Sequence, residues 1–148
     1  VSLPLGDEAY PPYSLEKARE DLAGIIRDQS HIFTIVTLED DIPIGRGLLF
    51  AIDHIDRRAM LGVAIGEKDY WGSGYGTEAT RLLVDYGFNL LNLNNIMLGV
   101  FEFNERAIAC YKKVGFKEIG RRRQARIIGS RKYDVLLMDI LSVEFQGL

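Results

Sequence analysis

The chain has 148 residues, 47% of them apolar and 26% charged, which suits one domain, residues 1–148, with a sizeable core. The net charge of −3 argues against a nucleic-acid-binding protein with a broadly basic surface. One cysteine excludes an internal disulfide, and no apolar run approaches the roughly 18 residues that cross a bilayer, so we expect a cytoplasmic protein with no signal peptide, membrane anchor or bound metal.

The first half of the chain predicts one helix and three strands. Ser14 can cap a helix that runs to about Gln29. The apolar residues of this helix fall on one face: Leu15, Ala18, Leu22, Ile25 and Ile26. Extended apolar runs follow at 32–38, 44–52 and 59–65, with turns between them. Gly62, inside the third run, predicts a bulge or a close backbone approach.

The second half predicts two helices and three strands. A helix over 77–91 ends at the polar residues 92–95, and a strand follows at 96–103. Asn104 can cap a short helix that ends at Gly115. A hairpin over 116–128 and 132–141 completes the chain. This order predicts an α+β or mixed α/β fold with a parallel crossover around the helix at 77–91.

Charged residues are distributed unevenly along this order. Through Asn104 the chain has 8 basic and 16 acidic residues, and from Glu105 onward it has 10 basic and 5 acidic residues. Such runs are typical of solvated faces. The alternative is that the later segment binds an anionic cofactor and the earlier segment attracts a cationic acceptor.

The segment Trp71-Gly72-Ser73-Gly74-Tyr75-Gly76, between a strand and a helix, carries the clearest chemical signal. Alternate glycines let backbone N–H groups converge at a helix N-terminus, which favours a phosphate site, although a simple flexible turn remains an alternative. Two nucleotide-binding motifs fail on spacing. No lysine follows Gly76, as a mononucleotide P-loop requires, and Thr77 stands where a dinucleotide fingerprint has its third glycine.

This segment resembles the GNAT-type N-acetyltransferase motif of Arg or Gln, two residues, Gly, one residue, and Gly or Ala. Trp71 departs from the Arg/Gln position. Residues 104–116 resemble the family's second motif, in which Asn is followed after six residues by Tyr and then by Gly-Phe. The resemblance covers Ser14 to Leu141 and is closest to the branch of ribosomal-protein N-terminal and spermidine acetyltransferases. From this resemblance we expect that the chain lacks the family's first strand and helix.

The resemblance implies a twisted central mixed sheet of about six or seven strands with helices on both faces. It also implies acetyl-coenzyme A (acetyl-CoA) as co-substrate, with its pyrophosphate at the glycine segment and its pantetheine along strand 63–65. An open strand edge created by a bulge near Gly62 would suit those pantetheine amides. The implied cofactor-binding residues are Val63, Ala64, Ile65, Trp71, Gly72, Ser73, Gly74, Tyr75, Gly76, Thr77 and Asn104.

The resemblance implies that Tyr111 is the catalytic residue, which protonates the departing thiolate. From spacing alone, Tyr111 is equally a core aromatic side chain, and Asn104 is a helix cap that can also contact the cofactor. Cys110 invites a covalent acetyl-enzyme hypothesis, but neither histidine lies in a segment with a matching signature, and a buried small side chain is the better interpretation.

The general base is left unassigned. Some relatives have glutamate at the positions of Met60 and Gly99, and neither of these residues can remove a proton. Glu102 and His54 are candidates only by elimination.

The function we expect is acetyl transfer to a primary amine by direct attack in a ternary complex. A protein N-terminus, a polyamine and a small-molecule amine all remain possible acceptors, and a homodimer is a possible assembly. A non-catalytic CoA-binding sensor is the first alternative. A second is an RNA- or ribosome-binding module that uses the basic residues of the last hairpin: Arg121, Arg122, Arg123, Arg126, Arg131 and Lys132.

Overall fold

The computed structural model describes residues 14–27 and 29–148, which form three α-helices and a six-stranded mixed sheet. The elements are α1 (Leu15–Arg27), β1 (His31–Val36), β2 (Pro43–Asp53), β3 (Arg58–Ile65), α2 (Tyr75–Asp85), β4 (Asn95–Phe101), α3 (Glu105–Val114), β5 (Lys117–Ile128) and β6 (Arg131–Leu141). A π-helical turn at Tyr86–Leu90 extends α2. The predicted element order and mixed fold class are confirmed.

Helix α1 begins where its cap predicts. The Ser14 hydroxyl accepts a hydrogen bond from the Lys17 N–H at 3.0 Å, and Lys17 pairs with Asp21 one turn further on. The helix ends at Arg27, and Gln29 already has a positive φ of 57°. The predicted apolar face is partly exposed, because Leu15 retains 69% of its accessible surface; the side chains of 25 and 26 lie outside the described part.

The sheet has the order β1-β2-β3-β4-β6-β5, and all its neighbours are antiparallel except β3 and β4. Helix α2 makes the predicted parallel crossover between these two strands. Their pairing covers only Arg58–Met60 on β3, opposite 95–97 on β4. Beyond Met60, β3 stays paired with β2 as far as Ile65, so its β4-facing edge opens into a gap.

The gap was predicted to arise from a bulge at Gly62, and this prediction is wrong. The β2–β3 register is continuous there, with Gly62 opposite Leu48, and the irregularity lies between Phe50 and Asp53. A Cβ on Gly62 would lie 2.9 Å from the Leu48 side chain, so the glycine accommodates a close side-chain approach. The open edge instead results from the divergence of β3 from β4.

The core lies between the sheet and the face covered by α2 and α3. Leu49 pairs with Leu61, and Ile96 with Ile140, so both pairs share a buried face. Leu83 of α2 belongs to the same cluster. Within the described residues, no helix combines the length and apolar character needed to cross a membrane.

The basic hairpin lies at the sheet edge, and part of its charge is used internally. Arg126 is buried, with its guanidinium 5.2 Å from the centre of the Phe101 ring. Arg121 contacts Glu102 and Asp134, each at 3.4 Å. These contacts reduce the charge that the hairpin offers to an RNA partner.

Candidate active site

The glycine segment forms a tight loop that leads into α2. Gly72 and Gly74 have positive φ values of 74° and 87°, which side chains other than glycine rarely adopt. Gly74 is the N-cap, and the first helical bond runs from the Glu78 N–H to its carbonyl oxygen at 3.0 Å. The N–H groups of 75–77 precede this bond and have no partner within the helix, so they can donate to an anion.

Gly76 plays a different part from the one predicted. It has no positive φ, and a Cβ at this position would lie 3.8 Å from the sulfur of Cys110, an ordinary contact. The convergence of N–H groups therefore depends on Gly72 and Gly74.

A cavity of about 250 Å³ lies beside this loop. Its walls are the end of β3 at 63–65, the glycine loop and the first two turns of α3. Ten of the twelve residues predicted for the site line it: Val63, Ala64, Ile65, Trp71, Gly72, Gly74, Gly76, Thr77, Asn104 and Tyr111. Ser73 and Tyr75 do not. Ser73 is exposed on the loop, and the ring of Tyr75 packs edge-on against Tyr70.

Trp71 ties the loop to the strand that forms the opposite wall. Its indole N–H donates a hydrogen bond to the Ile65 carbonyl oxygen at 2.7 Å. This bond satisfies one polar group at the end of β3, where pairing with β4 has ceased. The residue that departs from the family motif thus fixes the distance between the loop and the strand edge.

Asn104 caps α3, as predicted. Its side-chain oxygen accepts a hydrogen bond from the Ala107 N–H at 3.2 Å. Asn104 also lines the cavity.

Tyr111 is both a core residue and part of the cavity wall. Only 7% of its surface is exposed, and its ring packs edge-on against Phe116. Burial raises the pKa of Tyr111 to about 12, with a smaller contribution from neighbouring Cys110. The phenol therefore stays protonated throughout the physiological range and can donate a proton or a hydrogen bond.

The Cys110 thiol has no base beside it among the described residues. Its sulfur accepts a hydrogen bond from the Thr77 hydroxyl at 3.3 Å, and the Thr80 hydroxyl lies 3.9 Å away. His31 is bonded instead to the Tyr86 hydroxyl at 2.8 Å. Because no described base contacts the thiol, the geometry does not support the covalent acetyl-enzyme alternative.

Neither candidate base borders the cavity. Glu102 accepts a hydrogen bond from the Asp134 N–H at 2.8 Å and pairs with Arg121. His54 is exposed in the turn between β2 and β3. Among the described residues, no group of three His, Cys, Asp or Glu side chains comes together to hold a metal ion.

A larger cavity, of about 580 Å³, lies between β1 and α2. Phe33 and Tyr86 are among its mainly apolar lining residues. Tyr75 lines this larger cavity, but neither the glycines of the loop nor Tyr111 do, so the smaller cavity is the better candidate active site.

Arg106, which was not among the predicted site residues, also lines the smaller cavity. The available signal was its place two residues after the capping Asn104. There a cation lies near the positive end of a helix dipole, where a carboxylate would be favoured.

The chain matches known acetyltransferases over most of its length. Residues 6–117 match a family model described as the acetyltransferase (GNAT) domain. An uncharacterized N-acetyltransferase of Bacillus licheniformis, p20, is 31% identical over 141 residues, covering 92% of this chain and 79% of that protein. Spermidine N(1)-acetyltransferase of Escherichia coli K12 is 33% identical over 120 residues, covering 81% of this chain and 63% of the enzyme.

A solved structure extends this likeness to the fold. The spermidine N-acetyltransferase of Vibrio cholerae, in complex with CoA and spermine, superposes with a TM-score of 0.82 at 29% identity. The match covers 91% of this chain and 79% of that one.

Proposed function

Because the chain belongs to the GNAT acetyltransferase family, we propose that it transfers an acetyl group from acetyl-CoA to a primary amine of a polyamine. The observation that carries this proposal is the cavity that joins the loop N–H groups, the open edge of β3 and the buried Tyr111. The polyamine class is supported by the spermidine acetyltransferases among its relatives. The excess of acidic residues before Glu105 suits a cationic acceptor.

The donor fits this cavity in an extended conformation. Its pyrophosphate lies at the N–H groups of 75–77, which precede the first bond of α2. Its pantetheine amides pair with the edge of β3 at 63–65, which acts as a sheet edge accepting one more strand. The thioester then lies toward Tyr111 and Asn104 on α3.

The reaction is a direct attack in a ternary complex. Before the attack, the substrate ammonium loses one proton to solvent or to a group outside the cavity wall, because neither Glu102 nor His54 borders that wall. The neutral amine then forms a C–N bond with the thioester carbonyl carbon, and a backbone N–H of β3 stabilises the oxyanion of the tetrahedral intermediate. The nitrogen of this intermediate is positively charged and loses its second proton to solvent. The C–S bond breaks as the carbonyl re-forms, and Tyr111 donates its proton to the leaving thiolate. Solvent reprotonates the phenolate.

The decisive experiment is a free-thiol assay with acetyl-CoA and three acceptors: spermidine, a peptide with a free N-terminus, and an aminoglycoside. We expect thiol release above the hydrolysis background, with the largest kcat/KM for spermidine. A larger kcat/KM for the peptide would make a protein N-terminus the acceptor in place of a polyamine, and the proposed acetyl transfer would stand. Donor binding without release of the CoA thiol in the presence of any of the three acceptors would favour the non-catalytic CoA-binding alternative. The lack of a base at Met60 and Gly99 suggests this alternative.

The proposed location is the cytoplasm, and the proposed assembly is a homodimer. The exposed apolar side chains of β1, Phe33 and Val36, support an assembly that covers this edge. Analytical ultracentrifugation over a range of protein concentrations tests the dimer.

A further inference from the structure

Within the described part of the chain, Arg106 has no carboxylate partner that explains its position. It lies in the first turn of α3, where the helix dipole disfavours a cation. Among the described residues, no carboxylate oxygen lies within 4.0 Å of its guanidinium. The side chain nevertheless lines the cavity instead of extending away from it.

Trp71 is what holds Arg106 there. The central carbon of the guanidinium lies 4.7 Å from the centre of the indole ring, in cation–π contact. The ring itself is fixed by the bond from its N–H to the Ile65 carbonyl oxygen. A planar guanidinium that stacks on an aromatic face keeps the N–H donors at its edge available for a ligand.

The surroundings of Arg106 indicate an anion of high charge. Lys113 lines the same cavity, and the Lys68 ammonium lies 6.0 Å from the centre of the Trp71 ring. Two cationic residues thus line one cavity, and a third lies beside its Trp71 wall, in a chain whose net charge is −3. Guanidinium binds phosphate through paired, charge-assisted hydrogen bonds, whereas each backbone N–H of the glycine loop donates one uncharged bond.

We propose that Arg106, positioned by Trp71, binds a phosphate group of the donor and determines the preference for the complete CoA nucleotide over phosphate-free pantetheine. This assignment rests on the proposed function, because it takes CoA as the ligand. It adds a residue on α3 to the backbone groups that receive the pyrophosphate. Trp71 acts as a positioning residue through its contact with Arg106.

Calorimetric titration of the full chain with CoA tests the assignment. We expect Arg106→Gln to weaken CoA binding about tenfold to hundredfold, because it removes a charge-assisted hydrogen-bond donor to phosphate. Lys112→Gln is the matched control, since it removes one positive charge from an exposed position on the same helix that does not line the cavity. The control should change the CoA affinity less than about twofold.

Dephospho-CoA, which lacks the 3′-phosphate, identifies the phosphate concerned. If Arg106→Gln weakens only the binding of CoA, Arg106 binds the 3′-phosphate. If it weakens the binding of both ligands equally, Arg106 binds the diphosphate. An Arg106→Gln variant that binds CoA as tightly as the unaltered chain overturns the assignment. Failure of the unaltered chain to bind CoA instead overturns the proposed function, so the two failures are distinguishable.

A double-mutant cycle tests the positioning role of Trp71. Trp71→Leu should weaken CoA binding, and it should do so by a smaller factor in the Arg106→Gln protein than in the unaltered chain. Trp71→Phe keeps an aromatic face but loses the N–H bond to Ile65, so it should recover part of the affinity. Thermal unfolding of each variant reports whether the fold is retained. Strictly additive effects of Trp71→Leu and Arg106→Gln in folded proteins would contradict the positioning role.

Discussion

Replacing Gly74 by alanine isolates the conformational requirement of the glycine loop. Gly74 has φ 87° and ψ −4°, and a Cβ added to it would meet no atom within 4 Å. The cost of Gly74→Ala is therefore conformational, about 1 to 2 kcal/mol for an L-residue in this region. For a domain of this size we expect the melting temperature to fall by about 2 to 8 °C if the loop keeps its shape.

Gly76→Ala is the control, two residues further along the same segment. Gly76 has no positive φ, and its added Cβ makes only the ordinary contact with Cys110. Alanine at a compatible position stabilises a protein by about 0.4 to 1 kcal/mol, so its melting temperature should hold or rise. The two proteins are compared by scanning calorimetry and circular dichroism.

The loop can also relieve its strain by changing shape, which would turn the N–H groups of 75–77 away from the ligand. Gly74→Ala should then bind CoA more weakly by about fivefold or more, measured by calorimetric titration. An unchanged melting temperature together with an unchanged CoA affinity in Gly74→Ala would refute the reasoning. The conformational free energy of alanine at this φ would then have lowered neither the stability of the protein nor the affinity of the loop for CoA.

The remaining predictions concern three side chains of the cavity: Tyr111, Asn104 and Cys110. Tyr111→Phe should lower kcat by about 10²-fold or more with little change in CoA affinity, and an unchanged kcat would remove Tyr111 from catalysis. The unaltered chain should lose stability between pH 10 and 12, because Tyr111 ionises in the unfolded chain there while the buried Tyr111, with its pKa raised to about 12, stays protonated. Tyr111→Phe should abolish this loss, and denaturant unfolding of both proteins across this pH range checks it. Asn104→Ala should lower the melting temperature by about 2 to 4 °C, because it removes the cap of α3. Asn104→Asp should keep the melting temperature, since aspartate also caps a helix, but it should weaken CoA binding through charge repulsion. CoA should slow alkylation of Cys110, the one cysteine of the chain, and an unaltered labelling rate at saturating CoA would place the ligand elsewhere.

Local patterns predicted the order of the elements and most of their ends. Three features depend on neighbours within a few residues, and each lies where predicted: the apolar period of α2, the caps at Ser14 and Asn104, and the turn between the two strands of the last hairpin. Thr37 shows the limit of such patterns. It looks like strand, but its hydroxyl accepts a hydrogen bond from the Ile42 N–H at 3.1 Å, and β1 ends before it at Val36.

The open edge of β3 was expected for the wrong reason. The glycine at 62 drew attention to a bulge, whereas the edge opens because β4 follows β6 along its whole length and leaves β3 after three residue pairs. Strand divergence depends on partners far apart in the chain and leaves no local mark. The stacking of Arg106 on Trp71 was missed for a related reason, since 35 residues of chain separate elements that meet only in the folded protein.

The short contact between β3 and β4 divides the sheet mechanically. Within each half, β1-β2-β3 and β4-β6-β5, the strands are hydrogen-bonded over most of their length. Three residue pairs between β3 and β4, and the helices packed on the sheet, hold the two halves together. Because only three residue pairs join the halves, their local separation costs less free energy than separation along a continuous ladder would. If the donor binds along this boundary, as proposed, and only while the halves are joined, its binding stabilises the joined sheet. The stability of the sheet against such opening then rises with the donor concentration.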